Sequence, residues 1–154
     1  MNIWPTAAFS PFSYTISVWG NRLSNDNYMN LTCLGQLNSA WVEIRLRHTT
    51  NNSILFYIRT NGSYTSKAYA VGATLNTWHH YAISYSSGSY KMYFDGILKE
   101  TYTMTPTLID ISTWRLLGGT NWNNAGGKAE AADYRVYNIP LSDEEITSIF
   151  NAGP

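Results

Sequence analysis

Short runs in which apolar and polar residues alternate recur along most of the chain. The clearest run covers residues 14–19, where Tyr14, Ile16 and Val18 share one face. A period of two is typical of a β-strand, because successive side chains point to opposite faces. Similar runs predict nine further strands: 30–35, 40–47, 53–60, 64–71, 78–85, 89–94, 97–103, 112–117 and 129–137.

Turn residues separate these runs. Asn61-Gly62 and Asp95-Gly96 are typical of tight type I′ hairpins, because both residue pairs tolerate positive φ angles. Ser86-Ser87-Gly88 joins another pair of strands. Residues 20–30 contain four Asn and no periodic apolar pattern, so they predict a long loop. The order of strands and turns indicates an antiparallel meander.

One short helix is predicted at the carboxyl terminus, over residues 143–151. Ser142 and Glu145 have the spacing of a capping box, in which each side chain accepts a hydrogen bond from the other residue's amide. Gly153 is a suitable residue to end this helix. About ten strands and one helix predict an all-β fold, a sandwich of two antiparallel sheets.

Composition limits the classes of function. The chain has 154 residues, enough for one core and too few for two ordinary domains. Ten basic and ten acidic side chains cancel, which argues against nucleic acid as a partner. No apolar run approaches the ~18 residues of a membrane span, so no membrane insertion is expected. The single Cys33 excludes an internal disulfide and a zinc site built from several cysteines.

An ordered set of motifs occupies the second half of the chain. Its members are Trp78-His79-His80-Tyr81, Tyr93-Phe94-Asp95-Gly96, Gly118-Gly119, Asp133-Tyr134-Arg135-Val136-Tyr137-Asn138 and Leu141-Ser142-Asp143-Glu144-Glu145-Ile146. The set resembles the laminin G-like branch of the concanavalin A-like lectin and glucanase superfamily, common in bacterial surface proteins and phage structural proteins. The resemblance implies a concanavalin A-like jelly roll, and binding more often than catalysis.

The resemblance also implies a division of the chain. It begins near residue 14, and the family's opening strand is shortened or missing before it. We therefore expect a laminin G-like domain over 14–154, preceded by an amino-terminal extension or assembly arm over 1–13. Several relatives bind calcium between edge loops, but the family's paired late-strand acids become Ala132-Asp133 here. The sequence does not support calcium, and we predict no metal site and no cofactor.

The sequence lacks the paired carboxylates that glycoside hydrolysis by this type of fold requires. Related sandwich glycosidases need two carboxylates on one strand face. Glu43 shares its predicted face with Arg45 and Arg47, which favours an ion pair. Glu130 and Asp133 are separated by an odd number of positions, so they face opposite sides unless a bulge intervenes.

The neighbouring histidines His79 and His80 invite a metal or general-base interpretation. In simple β geometry their rings point to opposite faces and cannot hold one ion together. We predict that one ring lies in the core and the other on the sheet face.

From the carboxylates and the histidines together, we expect that the protein is not an enzyme.

Two loops are the candidate ligand sites. Trp122 lies in the Gly-flanked loop 118–127, where an aromatic ring beside amides suits the apolar face and hydroxyls of a sugar. The alternative is that Trp122 packs over the sandwich edge. The second loop offers oxygen ligands around Asp26 that could hold calcium; the alternative, which the sequence favours, is a plain polar loop. The candidate glycan-binding residues are Trp122, Asn121, Asn123, Asn124, Asp26 and Tyr28.

The amino-terminal segment is the candidate assembly element. Trp4, Phe9 and Phe12 are large apolar groups in a stretch interrupted by Pro5 and Pro11. Prolines prevent it from pairing as an uninterrupted central strand. We expect this segment to lie against a neighbouring subunit or a host protein; the alternative is that it lies across its own sandwich edge.

The function that fits best is a non-catalytic surface binding or decoration module. We expect a virion protein, a capsid decoration or fibre component with lectin-like adhesion to glycans, because charge is low and no secretory signal is visible. Its partners would be glycans or capsid and tail proteins, within a homo-oligomer or a larger assembly on the virion surface. The alternative is a carbohydrate-binding module of a larger bacterial protein, extracellular or at the cell surface; a glycoside hydrolase is less well supported.

Overall fold

The computed structural model describes residues 13–24, 28–35, 40–47, 53–60, 63–103, 114–116 and 128–154. Within them, ten strands precede one helix. The strands are β1 Ser13–Arg22, β2 Tyr28–Gly35, β3 Ala40–Arg47, β4 Ser53–Thr60, β5 Ser63–Ala70, β6 Trp78–Ser86, β7 Ser89–Phe94, β8 Ile97–Thr103, β9 Trp114–Leu116 and β10 Ala129–Tyr137, and the helix is α1 Asp143–Ala152.

The strands form two five-stranded sheets. The first sheet has the order β10-β1-β6-β7-β8, and the second has the order β5-β4-β3-β2-β9. Each named pair of neighbours is antiparallel. The predicted all-β sandwich of two antiparallel sheets with one carboxy-terminal helix is confirmed.

The main core lies between the sheets. Tyr14, Ile16 and Val18 of β1 are fully buried there, as their alternation predicts. From the second sheet, Leu31, Ile54 and Phe56 enter the same cluster. Burying a large apolar side chain contributes about 1.5–3 kcal/mol. Tyr81, Ile83, Tyr85, Tyr90, Met92 and Phe94 complete the first sheet's share.

The helix covers the other face of the first sheet. Ile146 and Ile149 pack with Ala82 and Tyr93 in a second apolar cluster. The predicted capping box is present: the Glu145 amide donates to Ser142 Oγ at 3.2 Å, and the Ser142 amide donates to Glu145 Oε2 at 2.7 Å. Where the helix lies over it, the first sheet is therefore covered on both faces.

Polar side chains fasten the segment that leads into the helix. The Leu141 amide donates to Thr15 Oγ1 at 2.8 Å, and Thr15 Oγ1 donates to the Ile139 carbonyl at 2.9 Å. Ser84 Oγ donates to the Leu141 carbonyl at 3.1 Å. Thr15 and Ser84 are buried because this segment lies over them.

Two strands are longer than predicted. Residues 20–22 belong to β1, and residues 28–30 belong to β2, so the predicted loop 20–30 is wrong at both ends. β1 continues because β6 and β10 pair with it on both sides, at Gly20 with His79 and Ala131. Gly20 also leaves room for Leu31, whose methyl carbons would lie 2.7 and 2.8 Å from an added Cβ. Tertiary pairing outweighs the polar composition here.

The turns follow their predicted chemistry where the structure describes them. Asp95 has φ +50° and Gly96 has φ +72°, as a type I′ turn requires. Ser87 and Gly88 also have positive φ, in the turn between β6 and β7. The predicted Asn61-Gly62 turn lies outside the described residues.

Candidate functional site

The strand order brings several connections to one end of the sandwich. Strands β1, β3, β5, β7 and β9 all end there, because each sheet is antiparallel and neighbouring strands run in opposite directions. The connections at this end, which we name the loop end, are 23–27, 48–52, 71–77, 95–96 and 117–128. Both predicted ligand loops start and finish here.

Hydrogen bonds join the bases of the two predicted loops. The Leu23 amide donates to the Lys128 carbonyl at 2.8 Å. The Lys128 amide donates to Ser24 Oγ, also at 2.8 Å. Ser24 immediately precedes 25–27, and Lys128 immediately follows 117–127. The structure thus brings together the flanks of the two segments, Ser24 and Lys128, which are 104 positions apart in the chain.

Most predicted ligand residues lie outside the described part of the chain. These are Asp26, Asn121, Trp122, Asn123 and Asn124, and their roles stay predictions. Tyr28 is described at the backbone level, where it begins β2 opposite Arg47, so its predicted position in a loop is wrong. The assembly residues Trp4, Phe9 and Phe12 also lie outside the described residues.

His79 and Asp95 form a polar cluster beside these connections. Asp95 Oδ2 lies 2.8 Å from His79 Nδ1, and Asp95 Oδ1 accepts from the His80 amide at 2.9 Å. The Thr74 amide donates to His79 Nε2 at 3.3 Å. This geometry assigns the ring proton to Nδ1, since Nε2 acts as an acceptor. The cluster holds 71–77 against the start of β6.

His80 points to the opposite side of the first sheet, as the alternation predicts. It is fully buried, its Nε2 lies 2.8 Å from Ser17 Oγ, and its ring packs at a tilt on Trp19 with centroids 5.4 Å apart. Burial lowers the pKa of His80 to about 4, despite the nearby carboxylates of Asp95 and Asp133. His80 is therefore neutral at pH 7 and belongs to the packing under the helix.

The pair Ser17 and His80 is not arranged for nucleophilic catalysis. Ser17 is fully buried, so no substrate reaches its hydroxyl. Asp95 binds the other histidine and the His80 amide instead of the His80 ring. A nucleophile and base need a third group that orients the base and an open approach. The contact is structural.

Two further carboxylates, those of Glu130 and Asp133, have structural partners. The pairing of β10 with β1 is irregular between Ser17 and Trp19, so the stated exception applies and simple alternation does not decide the faces of Glu130 and Asp133. Asp133 Oδ1 accepts from Arg135 Nε at 2.6 Å, and Glu130 Oε2 accepts from Asn21 Nδ2 at 3.0 Å. Glu130 is therefore bonded to a residue of the neighbouring strand β1, and Asp133 to a residue of its own strand β10. The side chain of Glu43, in β3, lies outside the described residues.

Two absences hold for the part of the chain that the structure describes. No three His, Cys, Asp or Glu side chains there come close enough together to hold a metal ion. No helix there is long and apolar enough to cross a membrane.

Sequence reasoning missed the third loop of this end, 71–77. Arg22, which is 6% exposed, donates from Nη2 to the Ala73 carbonyl at 3.2 Å, and its own carbonyl accepts from the Asn76 amide at 2.8 Å. The order of the strands could have revealed this loop. Successive strands of this antiparallel sandwich run in alternating directions, so the connections after β1, β5 and β9 lie at the same end.

Solved structures share this architecture. The receptor binding domain of botulinum neurotoxin C/D mosaic serotype is 18% identical, with a TM-score of 0.73, over 92% of this chain and 36% of that one. The serotype D ligand binding domain in complex with N-acetylneuraminic acid is 17% identical, with a TM-score of 0.71, over 92% and 37%. The chain spans about a third of those binding domains.

Another similar structure comes from an extracellular enzyme. Domain 4 of AbnA, a GH43 arabinanase from Geobacillus stearothermophilus, in complex with arabinotriose, is 18% identical, with a TM-score of 0.74. The match covers 90% of this chain and 67% of that one. At such identities the likeness shows the fold alone. No curated protein sequence matches the chain.

The sequence profile described as concanavalin A-like lectin/glucanases superfamily, of laminin G type, matches residues 2–147. This range covers most of the 154 residues and includes the strands of both sheets. The chain therefore belongs to the concanavalin A-like lectin/glucanase superfamily.

Proposed function

We propose that this protein is a non-catalytic module that binds glycans through its loop end. The observation that carries the proposal is the junction of Leu23, Ser24 and Lys128, which ties the bases of the two candidate loops together. Loops held by a rigid sheet are a common location for binding residues. In this proposal, Trp122 and its flanking amides act on the same ligand as the residues of the 23–27 connection.

The composition of the chain suits a sugar ligand. The chain has few charged residues, 13% of the total, so polar recognition depends largely on amides and hydroxyls. Aromatic rings provide flat apolar contact area, and amides provide paired donors and acceptors. Two of the similar structures are complexes with arabinotriose and with N-acetylneuraminic acid, which supports this class of ligand.

The hydrogen bonds of three described carboxylates support the absence of catalysis. Glu130 bonds Asn21, Asp133 bonds Arg135, and Asp95 bonds His79. A glycosidase needs one carboxyl group to act as an acid and a second that stays free near it. None of these three described carboxylates is arranged as such a pair.

The location of the module is a further part of the proposal. We infer that it acts on a surface exposed to external glycans, that of a virion or of a cell. Detection of the chain by mass spectrometry in purified virus particles would support the first location, and detection in a bacterial surface fraction would support the second.

A glycan array tests the binding proposal. Wild type should bind a defined subset of glycans, and Trp122→Ala should lose roughly 1–3 kcal/mol of binding, as other aromatic anchors do. Ile139→Ala is the matched control, because Ile139 is an exposed apolar residue, 51% exposed, at the opposite end of the sandwich. An array on which wild type binds nothing would refute the proposal. Equal loss in both variants would show that the loss is not specific to the loop end.

A further inference from the structure

The connection between β5 and β6, residues 71–77, has no assigned role, yet it lies at the loop end. It contains no charged residue, and Thr74, Asn76 and Thr77 are exposed. We propose that this loop is a third ligand-contacting segment, that Asn76 binds the saccharide, and that Arg22 is its positioning residue. The inference rests on the glycan binding proposed above and adds a residue and a ligand class to it.

Asn76 has an unusual backbone. Its φ is +55°, in the left-handed region that costs most residues about 1–2 kcal/mol. Asn is among the few side chains that tolerate this region. Strained backbone that the surrounding structure maintains is concentrated at binding and active sites. The conformation is held in place, since the Asn76 amide donates to the Arg22 carbonyl at 2.8 Å.

The Asn76 carboxamide is free for a ligand. It is exposed, and within the described part of the chain it hydrogen-bonds no other group. A carboxamide offers a donor and an acceptor side by side. Two neighbouring hydroxyls of a sugar ring present the complementary acceptor and donor. The residue can therefore bind a vicinal diol through two hydrogen bonds.

Arg22 fixes the first half of the loop to the sheet. It is buried at 6% exposure, its Nη2 donates to the Ala73 carbonyl at 3.2 Å, and its backbone forms an isolated bridge with Leu75. A loop that is already ordered loses little conformational entropy when it binds a ligand. Arg22 thus contributes to affinity without contacting the ligand.

The second anchor is the histidine cluster. The Thr74 amide donates to His79 Nε2, while Asp95 holds the Nδ1 side of the same ring. The loop backbone is therefore fixed at positions 73, 74 and 76. Because the loop 71–77 itself carries no charged residue, its proposed ligand is a neutral saccharide and not an anionic one.

The test compares matched variants on an array that carries neutral and anionic oligosaccharides. Asn76→Asp keeps the shape and the left-handed tolerance but loses the donor, and Asn76→Gly keeps the backbone but loses the whole carboxamide. Each should bind the neutral oligosaccharides roughly tenfold more weakly, the usual scale for one lost hydrogen bond. Asn138→Asp makes the same change at an exposed residue beyond β10, at the opposite end, and should bind like wild type.

The positioning role of Arg22 has its own readout. Arg22→Met should weaken binding and speed amide hydrogen exchange at Asn76, while Arg22→Lys should restore part of both. If wild type binds glycans and both Asn76 variants bind equally well, the inference about this loop is wrong while the proposed function stands. If wild type prefers anionic glycans, the ligand class is wrong. If wild type binds no glycan at all, the proposed function fails and the inference fails with it.

Discussion

Acid should destabilise this fold through His80 before the carboxylates titrate. An unfolded histidine has a pKa of ~6.5, whereas burial lowers the pKa of His80 in the fold to about 4. Between these values the unfolded chain takes up a proton that the folded chain excludes. The stability that His80 contributes is fully present above pH 6.5 and declines as the pH falls toward 4. The difference in pKa corresponds to a loss of about 3 kcal/mol.

The packing around His80 explains why the proton is excluded. The ring has no exposed surface, Nε2 is engaged by Ser17, and Trp19 covers it. A charge buried there would lose its hydration without a full set of partners. The loss is a large fraction of the 5–15 kcal/mol that stabilises an ordinary domain.

Urea unfolding at intervals between pH 4 and pH 8 measures this effect. His80→Gln, which replaces the imidazole with a polar side chain that does not titrate, should be less stable at pH 8 but should lose about 3 kcal/mol less than wild type on acidification. Nuclear magnetic resonance titration of the His80 ring provides the direct check. A His80 pKa near 6.5 in the folded protein, or equal pH slopes for both proteins, would refute the reasoning.

Three further changes have defined outcomes. Ser142→Ala removes the cap of α1 and should cost about 0.5–2 kcal/mol by chemical unfolding, with an unchanged midpoint contradicting the capping role. Gly96→Ala should cost about 1–3 kcal/mol, because φ is +72° and the added Cβ would lie 3.0 Å from Phe150; a neutral result in thermal unfolding would show that the turn relaxes freely. Deletion of residues 1–12 should lower the number of chains per particle, as measured by light scattering. A particle with as many chains as that of the parent protein would disprove the assembly role.

The sequence predicted the features that local chemistry determines. The alternation of Tyr14, Ile16 and Val18 identified a core face, and Asp95-Gly96 identified a type I′ turn. The capping box at Ser142 identified the start of the helix. Each depends on residues within a few positions of one another, so it could be found without knowledge of the fold.

The features that depend on distant partners could not be found in this way. The composition of residues 20–22 predicted a loop, yet β6 and β10, from two other parts of the chain, pair with them. The irregular pairing of β10 with β1 between Ser17 and Trp19 breaks the simple alternation on which the parity argument for Glu130 and Asp133 depends. Arg22 anchors Ala73, 51 residues away, a contact that no local pattern encodes.

Mapping the bound saccharide by nuclear magnetic resonance tests the central claim most directly. The ¹⁵N-labelled protein is titrated with the oligosaccharide that binds best on the array, and backbone and side-chain amide shifts are followed. The account predicts that the shifts concentrate at the loop end, at Leu23, Asn76 and Lys128, and leave Ser87, Gly88 and Asn138 unchanged. Shifts concentrated at the opposite end or on a sheet face, or no shifts at any saccharide concentration, would contradict it.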